Sequence, residues 1–263
     1  MAMRRLGSGD EGYVQRRTAV ANAIVASLMP EGAVKGGSAL KIRFGEECTR
    51  TTTGLDAARS SDLEAFVRAF EQSLAEGWEG FEGRLVPGEP AHPHGVPVAY
   101  VMRPYDVKLS YRGVAWCTVS FELGHNEIGD ADEPDFVVPK DANATLSALG
   151  FPAIPPVPTM ALHHQIAQKL HGASEPGSER AHDLIDLQLM VARGNVDWGL
   201  TRKTCERLFA YRRRQGWPCA IQKGDGWDEL YTAQLPVSAA SVLPLVDDAV
   251  AWANELVERI RTA

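Results

Sequence analysis

No apolar run in the 263 residues approaches the roughly 18–20 that a membrane span needs, so no transmembrane helix is expected. The first ten residues carry Arg4 and Arg5 without an apolar stretch behind them, so no secretion signal is read there. The cytoplasm is the expected compartment. Cysteine is scarce: Cys48, Cys117, Cys205 and Cys219 lie far apart and form no CxxC pair. That spacing argues against a disulfide framework and a cysteine zinc site, leaving ordinary semi-buried thiols in a reducing compartment. Also missing are a Gly-x-Ser-x-Gly elbow, a Cys–His signature, and a Gly-Lys-Ser/Thr following a glycine turn. Their absence removes the serine-hydrolase, cysteine-protease and P-loop readings. There is no internal repeat and no low-complexity tract.

What is present is an ordinary soluble composition, 44% hydrophobic and 23% charged. The length suits one large or two modest domains with a real core. The net charge of −7 speaks against nonspecific nucleic-acid binding by the whole surface. Its distribution is uneven, however. Arg202, Lys203, Arg207, Arg212, Arg213, Arg214 and Lys223 fall together with Glu206 as the one acid between Arg202 and Lys223. Such a patch neutralises phosphates or forms a solvated helix face, and charge alone does not choose.

Periodicity divides the chain. Val14, Ala19, Ala21, Ile24, Val25 and Leu28 recur at near-helical spacing and predict a first amphipathic helix, ended by Pro30, Glu31 and Gly32. Ala33-Val34 then leads into Lys35-Gly36-Gly37-Ser38, read as a tight strand-to-helix turn with Ser38 as helix cap. Thr51-Thr52-Thr53 predicts a strand ending near Asp56. Ser60, Ser61 and Asp62 are candidate caps for a helix marked by Leu63, Phe66, Val67, Phe70 and Leu74. Residues 78–104 read as strands with long loops. Tyr105–Tyr111 and Val114–Leu123 read as a hairpin turning at Arg112-Gly113, with Thr118, Ser120 and Glu122 on one side. Four prolines in the seven residues from Pro152 to Pro158 mark a seam. The expected domains are therefore 1–151, mixed α/β, and 152–263, all-helical. Helices are predicted at Thr159–Ala173, Arg180–Arg193, Thr201–Gln215 and Leu243–Ile260.

Few groups in this layout carry chemistry. Asp56 is a strand-end carboxylate, or a simple cap. Glu122 ends a polar strand row, or is a solvated side chain. Lys169 and Asp183 fall on consecutive helices joined by a short connection, so both project towards one point, as functional groups or as a structural ion pair. Gly36, Gly37 and Ser38 form a helix N-terminus suited to an anion. His163, His164, His171 and His182 do not assemble a metal set by spacing and are read as satisfied or exposed histidines.

The order of these pieces resembles the AbiEii/AbiGii nucleotidyltransferase toxin family. Gly36-Gly37-Ser38-Ala39-Leu40 followed by Arg50-Thr51-Thr52-Thr53-Gly54-Leu55-Asp56 is similar to that family's glycine turn and Arg-x-Thr/Ser-x-Asp-x-Asp segment. Gln168-Lys169-Leu170-His171 and Arg180-Ala181-His182-Asp183-Leu184-Ile185-Asp186-Leu187 are similar to its Lys-Leu-His-Ala and Arg-x-x-Lys-Asp-x-x-Asp-Leu segment. Phe209 to Arg213, Gly216-Trp217-Pro218 and Trp227 resemble its actinobacterial C-terminal pattern. The resemblance runs from about residue 33 to the C-terminus. It implies an α/β nucleotidyltransferase fold with a mixed sheet, followed by a helical C-terminal domain. It implies an NTP substrate, Mg²⁺ held by Asp56 and Glu122, and phosphates held by Gly36, Gly37 and Ser38. Lys169 offsets triphosphate charge, and Asp183 orients Lys169 or activates the acceptor. It further implies tRNA as acceptor, guided by Arg202, Lys203, Arg207, Arg212, Arg213 and Arg214, and a cognate antitoxin. One position departs: the first Asp of Asp-x-Asp is Gly54. With Gly54 there, a catalytically impaired protein that binds nucleotide or a partner stands as the alternative.

Overall fold

Valine, leucine and phenylalanine at every second position build one sheet face, and the residues between them build the other. The computed structural model describes residues 12–50, 52, 54–91, 101–236 and 241–263. They belong to two units, Met1–Glu46 with Thr52–Met160, and Glu47–Thr51 with Ala161–Ala263. Among the described residues no helix is long and apolar enough to cross a membrane.

The first unit holds α1 (Tyr13–Leu28), β1 (Gly32–Lys35), α2 (Gly36–Phe44), β2 (Leu55–Arg59), α3 (Leu63–Glu76) and β3 (Phe81–Pro87). Next come β4 (Arg103–Tyr111), β5 (Val114–Gly124), β6 (Asp135–Val137), α4 (Lys140–Ala148) and β7 (Val157–Thr159). The strands form one seven-stranded mixed sheet in the order β3-β4-β5-β2-β1-β7-β6. β1 runs antiparallel to β2 and parallel to β7, and β2 runs parallel to β5. Val34, Leu55, Ala57, Phe81, Val107, Val119, Phe121 and Leu123 share the core with residues of α1, α3 and α4. Each fully buried Phe or Leu there contributes ~1.5–3 kcal/mol over its exposed state. α1 is buried throughout Val20 to Ala26, so in that stretch it behaves as a central rather than a surface helix. Asp62 caps α3 by accepting from Glu64 N and Ala65 N. The hairpin turns at Arg112 and Gly113 with φ of 49° and 76°, the left-handed pair that a two-residue turn requires.

Several expectations shift. β2 begins at Leu55; of the threonines before it, Thr51 and Thr53 lie outside the described residues, and Thr52 is in coil. The ladder runs where β1 and β5 offer partners. Asp56 is thus the second residue of its strand. Ser38 is not a cap: α2 begins at Gly36, with Lys35 at the cap position. The proline run ends in β7, where Pro158 is tolerated because β7 meets β1 through a single pair, Val34–Thr159. β6 and α4 are too short to announce themselves by periodicity.

The second unit holds α5 (Leu162–Ser174), α6 (His182–Arg193), α7 (Trp198–Arg212), α8 (Trp227–Thr232) and α9 (Val246–Arg261). α5 packs on α6 and α7, and α9 packs on α6, α7 and α8. Ile166, Leu170, Leu184, Leu187, Leu208, Phe209, Trp227, Tyr231, Val257 and Ile260 are buried. All four cysteines are free thiols. Burial pushes the Cys117 thiol up to about 11, so it stays protonated at neutral pH.

Candidate active site

The sheet face opposite the α1–α3–α4 core carries polar side chains. Pairing places Lys35 opposite Asp56, and Asp56 beside Glu122, in one row across β1, β2 and β5. Successive side chains alternate between faces, so the three share a face. Partial burial of its carboxyl, and then the Asp56 charge, raise the pKa of Glu122 above the ordinary carboxylate value, while Lys35 offsets part of the rise. Two carboxylates that resist sharing their negative charge are a fitting place for a cation.

Gly36 brings the start of α2 onto this row. Its φ is +65°, and a Cβ there would lie 2.8 Å from Asp56 Oδ2. A side chain would therefore clash with the carboxylate and strain the backbone. Lys35, at the cap position of α2, offers no side-chain hydrogen bond to the first turn. Ser38 is buried, and its hydroxyl donates to the Gly54 carbonyl, tying the helix to the residue before β2.

A hard divalent ion suits the pair chemically. Such an ion takes one or two protein carboxylates and completes its shell with phosphate oxygens and water. Among the described residues no group of three or more His, Cys, Asp and Glu could hold a metal. Gly54 accounts for part of that deficit, since it offers no carboxylate beside Ser120.

The second unit builds a buried ionic cluster. Lys169 Nζ donates to Asp183 Oδ1 at 2.9 Å and to Asp186 Oδ2 at 2.6 Å. Arg180 Nε donates to Asp183 Oδ2 at 2.6 Å, and Arg50 Nε reaches both Asp186 oxygens at 3.0 and 3.2 Å. Lys169, Asp183 and Asp186 expose 5%, 0% and 1% of their side chains, so solvent cannot compensate for a lost partner. Burial alone would raise the Asp183 pKa, but the Lys169 and Arg180 charges outweigh it and hold the carboxyl well below its usual range. His182 Nε2 lies 3.6 Å from Asp183 Oδ1, and burial lowers its pKa.

The remaining expected residues are scattered in environment. Lys203, Arg207, Arg213 and Arg214 are exposed at the surface of α7 and just beyond it. Arg202 donates to the Ala263 carbonyl, Arg212 lies 3.4 Å from His171 Nδ1, and Lys223 bridges Asp228 and Asp247. His164 is pushed down to about 4 by burial, and so is neutral at neutral pH. His163 pairs with Thr204.

Three groups escaped a role in the sequence reading. Asp186 follows Asp183 by one helical turn, a spacing that puts both on one face. Arg50 pairs across 136 residues, which no local pattern reveals. Lys35 was visible as the strand residue before the glycine turn, but its neighbour Asp56 follows only from the register.

Comparison with known proteins decides the family. The profile described as "Nucleotidyl transferase AbiEii toxin, Type IV TA system" matches residues 20–257. This chain belongs to the AbiEii family. Membership makes it a nucleotidyltransferase toxin of a type IV toxin–antitoxin system, with an NTP substrate, a divalent metal and an antitoxin partner in the family's general pattern. Among solved structures, MenT4, a nucleotidyltransferase toxin from Mycobacterium tuberculosis, is 17% identical with a TM-score of 0.58, covering 99% of this chain and 89% of that one. The AbiEii chain therefore shares MenT4's fold, a mixed sheet with helices and a helical C-terminal region. JHP933 from Helicobacter pylori is 11% identical with a TM-score of 0.48, covering 96% of this chain and 93% of that one. No curated protein sequence matches the chain.

Proposed function

We propose that this AbiEii protein is an Mg²⁺-dependent nucleotidyltransferase that moves a nucleoside monophosphate from an NTP to the 3′ end of tRNA. The observation that carries the reading is the Asp56–Glu122 pair, in register on adjacent strands beside the uncapped start of α2. Asp56 and Glu122 would hold the ion, which when bound neutralises phosphate charge and lowers the pKa of the attacking hydroxyl. The first-turn N–H groups of Gly36, Gly37 and Ser38 face anions favourably. Lys169 is assigned to offset triphosphate charge, and Asp183 to orient Lys169 or activate the acceptor. The bond formed joins the acceptor oxygen to the α-phosphorus, and pyrophosphate leaves. The exposed cations Lys203, Arg207, Arg213 and Arg214, with Arg202 and Arg212, support an RNA backbone as acceptor.

The test is incubation with labelled NTPs, Mg²⁺ and total tRNA. Label is expected on tRNA from one NTP or more, and Asp56→Ala should abolish it. Absent transfer from every NTP, or transfer untouched by Asp56→Ala, overturns the reading. Gly54 favours a second reading, a metal-poor relative that binds nucleotide or a partner without turnover. It predicts nucleotide binding that barely responds to Mg²⁺.

A further inference from the structure

Lys35 ends β1, opposite Asp56 and on the same sheet face as Glu122. Its side chain does not stay over its own strand. A Cβ built on Gly124 of β5 would lie 2.8 Å from Lys35 Nζ and 2.9 Å from Met102 Sδ. The lysine stem thus crosses β2 and sets its ammonium on the bare backbone of Gly124, which any larger residue would occupy. The hydrogen bond it makes there is to Met102 Sδ, at 3.6 Å. A thioether is a weak acceptor, and an ammonium carries three N–H donors. Its effect on Glu122 is Coulombic, without a hydrogen bond. A cation is therefore held beside two acids, half-buried and supplied with an acceptor far weaker than an oxyanion.

A nucleotide approaching this row brings the missing acceptor. With Gly54 in place of a carboxylate, fewer protein oxygens steer the cation that accompanies the phosphates. A fixed ammonium in the row gives the phosphate chain a second positive anchor. Phosphate takes charge-assisted hydrogen bonds from lysine as from a point charge.

We propose that Lys35 is a phosphate-binding residue of this site, its ammonium seated on Gly124 and donating to a phosphoryl oxygen of the bound NTP. The proposal rests on the nucleotidyl-transfer reading of the Asp56–Glu122 row. It would make Gly124 a positioning residue that acts through Lys35.

Calorimetric titration of the full chain with each NTP, and with the matching nucleosides, tests it. Charge-assisted hydrogen bonds of this kind translate into roughly ten- to hundredfold in affinity. Lys35→Met should weaken NTP binding in Mg²⁺ by about that factor and leave nucleoside binding unchanged, whereas Lys35→Arg should restore part of the loss. Gly124→Ala keeps the charge but fills its seat, and should weaken NTP binding in the same direction; it carries the test if Lys35→Met fails to fold, as judged by its melting curve. Wild-type NTP affinity in Lys35→Met, or equal weakening towards nucleoside and NTP, overturns the proposal. If Lys35→Met binds normally while Asp56→Ala loses Mg²⁺-dependent binding, the Lys35 proposal falls and the transferase reading stands. If the wild-type chain binds no NTP with or without Mg²⁺, both fall together.

Discussion

Restoring a carboxylate at position 54 measures how far the cation site depends on its two remaining acids. Gly54 has room for it: a Cβ there would lie 3.3 Å from the Ser120 carbonyl oxygen and 3.9 Å from Ser120 Cβ, an adjustment of a few tenths of an ångström. Residues two apart on a strand are ~6.6 Å apart, so the carboxylate introduced by Gly54→Asp would repel Asp56 by ~2.5 kcal/mol at an effective dielectric of about 20. Glu122, one diagonal away at ~7–8 Å, would add about 2 kcal/mol. Solvent at this open face should cut the sum to roughly 1–2 kcal/mol. With chelator present, Gly54→Asp should therefore melt several degrees below wild type. A divalent cation turns the same repulsion into attraction, so Mg²⁺ should raise the melting point of Gly54→Asp more than that of the wild type. Its Mg·NTP affinity should tighten about tenfold, since ligand charge count tunes such sites. The assays are melting in EDTA against millimolar Mg²⁺, and calorimetry. Identical Mg²⁺ responses in the two proteins would refute the assignment of this row as the cation site.

Three other outcomes follow from the geometry. Gly36→Ala combines a left-handed backbone with a Cβ pressed onto Asp56 Oδ2, so it should cost ~1–2 kcal/mol in urea unfolding and weaken Mg²⁺-dependent nucleotide binding. Lys169→Met strips one cation from Asp183 and Asp186 and leaves each with one arginine; loss of about 3 kcal/mol is expected in denaturant titration of the full chain. Because Asp183 titrates below its unfolded value, the stability it contributes is complete above about pH 4 and drains away as pH falls further. In Lys169→Met a major cause of that depression is gone, so acid unfolding should begin at higher pH, which melting curves from pH 3 to 7 will read.

Much of this fold could be read in the chain itself because long elements repeat their signals. Tyr13–Leu28, the Phe66–Phe70–Leu74 face and the hairpin at Arg112-Gly113 each carry several agreeing cues, and all three formed as expected. β6, β7 and α4 carry too few residues for periodicity to show; β6 and β7 exist because the sheet offers them partners, and α4 because it packs on α1. The candidate site divides the same way. Asp56 and Glu122 are visible as carboxylates near strand ends, but that they are neighbours depends on the parallel pairing of β2 with β5, a register no local pattern encodes. Lys169 and Asp183 were legible from helix phase and a short connection. Arg50, which joins the cluster through Asp186, arrives from a distant turn and was not.

That turn has a practical consequence for dissecting the protein. The helical unit comprises Glu47–Thr51 as well as everything from Ala161 onward. A fragment starting at residue 161 would lack the guanidinium that Arg50 supplies to Asp186, leaving a buried carboxylate one cation short. The C-terminal half should thus express poorly by itself, and grafting its helices onto another scaffold would succeed only if the short upstream segment travelled with them.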